Sequence, residues 1–384
     1  MNASGHVMEG GPPYRIVIEV GRDPVTGKRK RQQHTYRTKG EAKRALTEKL
    51  HRLNAGEYVE PSRVTLGEQL DLWLANTKAT VRPSTYKSYA NLVEHQLKPR
   101  LGETLLQQLA TAQLNTTYAA MLSNGRRSKK AGPLSPRTVR FAHTVLRMAL
   151  QDAVRSNLVH RNVADAARPP RKATPTMQVW SVEQLRTFLG KVEGDRLYAG
   201  YLLLAMTGMR RGEALGLRWQ DVDVANGRVS IVQTLVATDY ETRFSTPKTD
   251  RGRRTVALDR ATLATLVEHR ERQQVERAMW GDAYTDHGLV LAKENGEPLH
   301  PHGFSQSFRR HVKLAGLTAI RLHDLRHTYA TLALQAGVHP KVVQERLGHS
   351  SIAITMDTYS HAIPALQESA AELIAAQVLA VAAA

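Results

Sequence analysis

The stretch that decides the fold of this chain reads HDLRH at residues 323–327, followed by LGH at residues 347–349 and by Tyr359. Arg326 follows His323 by three positions, a spacing that places both side chains on one face of a helix. A guanidinium stays protonated in proteins and presents a planar fork to two phosphate oxygens. This part of the chain therefore predicts a helical site that binds a phosphate.

A second arginine and a lysine lie upstream. Arg210 belongs to TGMRRGE at residues 207–213, and Lys248 lies in TPKT between two strand-like segments. A free tyrosine has a pKa of about 10, so Tyr359 becomes a nucleophile only when a neighbour accepts its proton or stabilises its phenolate. Either His323 or His349 could do this, and Lys248 is suited to protonate a leaving oxygen. Because guanidiniums supply the positive charge, we expect neither a metal ion nor another cofactor.

These motifs resemble those of the tyrosine recombinases of the phage and mobile-element integrase type. The family's catalytic set is matched in the right order by Arg210, Lys248, His323, Arg326, His349 and Tyr359, the nucleophile. The resemblance implies a site-specific recombinase that cleaves and rejoins DNA through a 3′-phosphotyrosine and integrates and excises a phage or mobile element. It also implies a homotetramer on core and arm attachment sites, with an excisionase or a DNA-bending host factor as a further partner.

Residues close to this set allow other interpretations. His323 and His327 have the spacing of a zinc helix, but the metalloprotease motif has Glu where Asp324 stands. Tyr329 is a second candidate nucleophile, although its place on the helix suits packing. His327 is predicted to stabilise the helix or to support a catalytic residue. Glu213 is predicted to orient its helix or an arginine.

Three other functions remain open at this point. A swivelling topoisomerase and a chromosome-dimer resolvase would use the same chemistry, but the N-terminal module described below argues against both. A non-catalytic DNA-binding protein is the third, and the complete catalytic set argues against it.

Composition and charge favour a DNA-binding protein. The chain has 384 residues, which implies two or three domains, and it has no cysteine, which excludes disulfides and thiolate metal sites. It carries no apolar leader and no 18-residue apolar run, so we expect a cytoplasmic, nucleoid-associated protein without a membrane partner. The net charge of +19 is uneven: +5 over residues 1–60, +12 over 61–174 and +2 over 175–384. Such a basic middle third predicts contact with double-stranded DNA.

The pattern along the chain predicts a multidomain protein, mainly α with small β elements. Residues 14–20 alternate like a strand, and two more strands are predicted at 228–236 and 254–258. Thr38 with Glu41 and Ser181 with Gln184 form capping boxes that begin helices, and Thr111 is predicted to cap another helix.

By resemblance, residues 1–60 form an arm-binding module of a three-stranded sheet plus a helix, and residues 65–168 a helical, SAM-like core-binding domain. Residues 175–384 form a mixed α/β catalytic domain with a C-terminal tail helix after Pro364. In resembling proteins such a tail docks on a neighbouring protomer, which we expect here; the alternative is that it covers its own catalytic domain. The predicted DNA contacts lie in three basic segments: Lys28, Arg29, Lys30 and Arg31; Arg126, Arg127, Lys129 and Lys130; and Arg171 and Lys172.

Overall fold

The computed structural model describes residues 4–8, 11–22, 26–55, 57–126, 132–172, 177–238, 241–246 and 252–359, together with residues 375 and 378. The chain divides into two compact units, Met1–Thr174 and Pro175–Ala384. Within the described ranges no helix is long and apolar enough to cross a membrane. Four predicted site residues lie outside the described ones: Lys248, Arg127, Lys129 and Lys130. The tail predicted after Pro364 also lies outside them, apart from residues 375 and 378.

The first unit begins with the predicted three-stranded sheet and helix. Its elements are β1 (Gly5–Val7), β2 (Tyr14–Arg22), β3 (Arg29–Tyr36) and α1 (Lys39–Asn54). The strands pair antiparallel in the order β1-β2-β3. Alternation along β2 buries Ile16 and Ile18 completely, and Ala42 of α1 is fully buried as well. At the start of α1 the Glu41 amide donates to Thr38 Oγ1 over 3.2 Å, one half of the predicted capping box.

The rest of this unit is helical, as predicted. Its helices are α2 (Leu66–Thr77), α3 (Pro83–Leu92), α4 (Lys98–Leu101), α5 (Thr111–Asn124) and α6 (Pro136–Arg155), with a π turn at Val93–Leu97 and a 3-10 turn at Leu106–Gln108. Trp73 is 6% exposed and its ring lies 5.4 Å from that of Tyr89, so these aromatics belong to the core. One detail differs: Thr111 does not cap α5 but is its first residue, after the N-cap Ala110. The Thr111 hydroxyl instead donates to the Val163 carbonyl over 2.9 Å.

The second unit combines helices with two small sheets. Its elements are α7 (Val182–Val192), α8 (Tyr198–Thr207), α9 (Arg211–Gly216), β4 (Val222–Asp223), β5 (Arg228–Ile231), β6 (Thr234–Thr238), β7 (Glu241–Ser245), β8 (Arg254–Ala257), α10 (Arg260–Trp280), α11 (Pro301–Leu314), α12 (Asp324–Gln335), α13 (Pro340–Leu347) and α14 (Ile352–Tyr359), with 3-10 turns at Trp219–Asp221 and Gly281–Ala283. The strand predicted at 228–236 is divided into β5 and β6. β5 lies between β4 and β8, whereas β6 pairs with β7.

An aromatic core holds the helices of the second unit in place. Trp180, Phe188, Tyr201, Phe304 and Phe308 are all at most 2% exposed. Their ring centroids lie 5.1–5.9 Å apart, within the range of favourable aromatic pairs. This core fixes α7, α8 and α11. The candidate catalytic residues that the structure describes lie at the start of α9, on α12 or directly before it, after the end of α13, and on α14.

Candidate active site

A glycine turn at the end of α8 brings two candidate residues into place. Gly208 ends the helix in the left-handed conformation, at φ +65°. A Cβ at this position would lie 2.6 Å from Tyr329 and 2.7 Å from Leu347, so a larger residue would have to displace these side chains. The turn points the Gly208 carbonyl at Arg326 and leaves Arg210 as the N-cap of α9.

The two predicted arginines meet at the end of α13. Arg326 is 3% exposed, and its guanidinium donates to the carbonyls of Gly208 and Leu347, each over 2.7 Å. Arg210 donates to the next carbonyl, that of Gly348, over 3.3 Å, and 42% of its side chain remains exposed. Burial, with the charge of Arg210, lowers the pKa of Arg326 to about 9. Arg326 is therefore charged at neutral pH, and Arg210 faces solvent where a ligand can reach it.

A buried carboxylate holds Arg210. Glu213 is 4% exposed and accepts from the Arg210 amide over 2.9 Å and from its guanidinium over 2.8 Å. Arg254, at the start of β8, donates to the same carboxylate over 2.9 Å. Burial would raise the pKa of Glu213, but its hydrogen bond and ion pair with Arg254, and the charge of Arg210, hold that pKa below its usual value. Arg254 was not predicted, since nothing in the run Arg251-Gly252-Arg253-Arg254 distinguishes it from its neighbours.

The nucleophile candidate closes the site from α14. Tyr359 has no exposed surface and belongs to a buried cluster with Ala330 and Leu334 of α12 and Val343 and Leu347 of α13. Its hydroxyl lies 2.8 Å from Nδ1 of His327. The ring of His349 is nearly parallel to that of Tyr359, at an angle of 10° and a centroid distance of 6.5 Å.

The hydrogen-bond partner of this tyrosine differs from the sequence interpretation. His323 and His349 were expected to serve the hydroxyl, and His327 only to support them, yet His327 makes the contact. His323 packs edge-on against the His327 ring, with centroids 5.2 Å apart. One signal was present in the sequence: His327 shares a helix face with Ala330 and Leu334, and the structure places both in the same buried cluster as Tyr359.

The imidazoles are uncharged and the phenol is protonated at neutral pH. Burial and the charges of Arg326 and Arg210 lower the pKa of His349 to about 3. Burial also lowers the pKa values of His323 and His327, with Arg326 adding to the effect. Burial raises the pKa of Tyr359 to about 12, although Arg326 opposes the rise. The site thus combines permanent cations with neutral bases beside a phenol that does not ionise unaided.

Tyr329, the alternative nucleophile, and Asp324, which belongs to the zinc-helix interpretation, are each hydrogen-bonded to an arginine. The Tyr329 hydroxyl accepts from Nε of Arg346, whose guanidinium also lies 5.6 Å from the Tyr329 ring centre. The Asp324 carboxylate accepts from Arg321 over 2.7 Å, whereas Arg326 donates to the carbonyls of Gly208 and Leu347. Among the residues that the structure describes, no group of three His, Cys, Asp or Glu side chains is placed to hold a metal ion.

Comparison with known proteins decides the family. Residues 177–365 match the Phage integrase family, and residues 65–122 match its N-terminal SAM-like domain. The chain belongs to the phage integrase family of tyrosine recombinases. It is a site-specific recombinase, an enzyme that cleaves and religates DNA. The alternatives of a topoisomerase, a dimer resolvase or a non-catalytic DNA-binding protein are not favoured.

Relatives and solved structures extend the likeness over nearly the whole recombinase. A XerC-like tyrosine recombinase of Caldanaerobacter subterraneus is 28% identical, over 97% of this chain and 98% of its own. The ICEBs1 integrase of Bacillus subtilis is 26% identical, over 94% and 96%. The Tn1549 transposon integrase in complex with transposon right end DNA has a TM-score of 0.67 at 20% identity, over 80% of this chain and 99% of its own. A lambda integrase tetramer bound to a Holliday junction has a TM-score of 0.58 at 18% identity, over 92% and 94%.

The predicted DNA-contact residues of the recombinase are exposed wherever the structure describes them. These residues are Lys28, Arg29, Lys30, Arg31, Arg126, Arg171 and Lys172. Arg29 lies 3.4 Å from Glu19, and Lys30 lies 2.7 Å from Glu60. Exposed pairs of this kind are worth about 0–1 kcal/mol, so a DNA phosphate can compete with the glutamates for both cations.

Proposed function

We propose that this recombinase integrates and excises a phage or mobile element, and that Tyr359 attacks the DNA to form a 3′-phosphotyrosine. The observation that supports this most directly is the setting of the Tyr359 hydroxyl. It lies 2.8 Å from a neutral imidazole, beside the charged Arg326. Because Tyr359 has no exposed surface, DNA binding has to expose its hydroxyl before the oxygen can reach the phosphorus.

Each residue of the catalytic set then has its own role. Arg210 and Arg326 hold the non-bridging oxygens as negative charge develops on them. A donor aimed at developing charge is worth about 3–4 kcal/mol in comparable sites. Glu213 keeps Arg210 in position, and His323 and His349 complete the phosphate cradle.

The reaction exchanges one phosphoester for another. The Tyr359 oxygen bonds to phosphorus, the bond from phosphorus to the 5′ oxygen breaks, and Lys248 protonates the leaving 5′ oxygen. The reverse steps rejoin the strand. The phosphotyrosine keeps the energy of the broken phosphodiester, so the scheme needs no nucleotide, metal or other cofactor.

The modules take separate parts of the DNA in this proposal. Residues 1–60 bind arm sites, residues 65–168 bind the core site with the catalytic domain at 175–384, and four protomers assemble on two duplexes. The likeness to the lambda integrase tetramer supports this assembly. An excisionase or a DNA-bending host factor would decide whether integration or excision dominates. The reaction would take place at the nucleoid, in the cytoplasm.

Covalent trapping tests the proposed function. On a nicked suicide duplex, in excess EDTA, the protein should form a covalent adduct whose phosphorylated peptide maps to Tyr359. The reaction should tolerate EDTA because guanidiniums supply the positive charge. An adduct on Tyr329 would contradict the assignment, and an activity lost in EDTA and restored by zinc would favour a metal mechanism.

The basic segment at residues 126–130 gives a second test. Replacing Arg126, Arg127, Lys129 and Lys130 by Ala should weaken DNA binding and flatten the dependence of log K on log salt, by about 0.9 for each DNA phosphate that the variant no longer neutralises. As the matched control, Arg126→Lys, Arg127→Lys, Lys129→Arg and Lys130→Arg preserve the charge and should preserve the slope. An unchanged slope in the alanine variant would mean that this segment does not contact DNA.

A further inference from the structure

His327 lies against the reacting atom of the proposed nucleophile. It is on α12, directly after Arg326, and its Nδ1 is 2.8 Å from the Tyr359 oxygen. Tyrosine has a proton to donate, so the natural assignment is a hydroxyl that donates to Nδ1 of an imidazole protonated at Nε2. Such a contact has the length that proton transfer requires.

The other two imidazoles are engaged differently. Nδ1 of His349 lies 2.9 Å from the Thr355 hydroxyl, and its ring is parallel to that of Tyr359 rather than directed at the oxygen. His323 meets the His327 ring edge-on. Among the described imidazoles, His327 is the one with a nitrogen on the nucleophile.

We propose that His327 is a catalytic residue, the base that takes the proton of Tyr359 as its oxygen attacks phosphorus. The proposal rests on the role of Tyr359 given under Proposed function. The proton moves from the Tyr359 oxygen to Nδ1, the oxygen bonds to phosphorus, and the 5′ oxygen leaves with a proton from Lys248. On rejoining, His327 returns its proton to Tyr359.

The surroundings of His327 fit a base. A phenol with a pKa of about 12 is ionised in only about one molecule in 10⁵ at neutral pH, so attack requires a proton acceptor. The charged and titratable groups around His327 are Asp324, Arg321 and Arg326, His323 beside its ring, and Tyr359 and His349 opposite it. Burial and Arg326 keep the imidazole neutral at rest, so it is free to accept a proton.

The test combines His327→Asn with an unnatural tyrosine at position 359. An Asn oxygen can accept the hydrogen bond where Nδ1 stands, but it cannot take the proton. Single-turnover cleavage of the suicide duplex should fall about 10²–10⁴-fold, the usual contribution of a general base. DNA affinity should not change. Difluorotyrosine at position 359, whose phenol is more acidic, should restore much of the rate. His287→Asn, an exposed histidine of the same unit, is the matched control.

The pH profile separates a base from a residue that only holds the tyrosine. In His327→Asn the rate should rise about tenfold per pH unit, because hydroxide then has to remove the proton. A variant as fast as the wild type, or one that difluorotyrosine does not rescue, overturns the proposal. Faster cleavage by His327→Ala would make His327 a restraint on the tyrosine and also overturn it. His327→Gln replaces the Asn variant if that one does not fold. Failure of the proposed function is distinct, since the wild type itself would then form no adduct at Tyr359.

Discussion

Replacing Tyr359 with Phe should abolish covalent adducts and recombination while leaving affinity for the core site within about twofold of the wild type. The change removes one oxygen and keeps the ring, which shares a buried cluster with Leu334, Val343 and Leu347. It also leaves Nδ1 of His327 without its partner, so we expect a loss of about 1 kcal/mol in the free energy of unfolding. Adduct formation on a suicide duplex, gel-shift affinity and urea unfolding measure the three effects.

The matched control is Tyr329→Phe. Its hydroxyl contacts Arg346 rather than the imidazoles, so this variant should still form the adduct. A covalent band that survives in Tyr359→Phe and disappears in Tyr329→Phe would move the nucleophile to Tyr329. Loss of the band in both variants, with folding intact, would indicate that Tyr329 positions the Gly208 turn against which it packs.

Replacing Arg326 with Ala should have a large effect on stability as well as on catalysis. The loss of one donor aimed at the phosphate should slow cleavage about 10²–10³-fold. The carbonyls of Gly208 and Leu347 would also lose their buried donors, and each unsatisfied buried group costs about 1–3 kcal/mol. We therefore expect a large fall in the free energy of unfolding, measured by urea titration, beside the fall in single-turnover rate.

Two further variants separate the loss of positive charge at position 326 from the loss of its two carbonyl contacts. Arg326→Lys keeps a positive charge, but a point donor cannot bridge two carbonyls as the fork does, so part of the cleavage rate and less of the stability should return. Arg277→Ala removes an exposed arginine whose partner is Asp286, and it should change stability by no more than about 1 kcal/mol. If Arg326→Ala unfolds at the same urea concentration as the wild type, the two carbonyl contacts do not hold α8, α12 and α13 together.

Local patterns were sufficient for much of the fold. The alternation of β2 predicted the strand whose Ile16 and Ile18 are buried, and capping residues predicted where α1 and α7 begin. These features depend on neighbours in sequence, because strand and helix periodicities are properties of a few consecutive residues. The residues of the predicted catalytic set could be selected for the same reason, as each stands in a short and distinctive context.

Contacts within the site required the tertiary structure. The order of Arg326, His349 and Tyr359 in the chain says nothing about which imidazole meets the hydroxyl. That choice depends on how α14 packs against α12 and α13, and the packing directs the oxygen to His327. The sequence alone determined which residue types were present and which helices carry them, because periodicity and motif spacing are local. The tertiary structure decided which side chains touch, including the bond from Arg254 to Glu213 across 41 positions, because contacts between distant segments depend on the packing of whole elements.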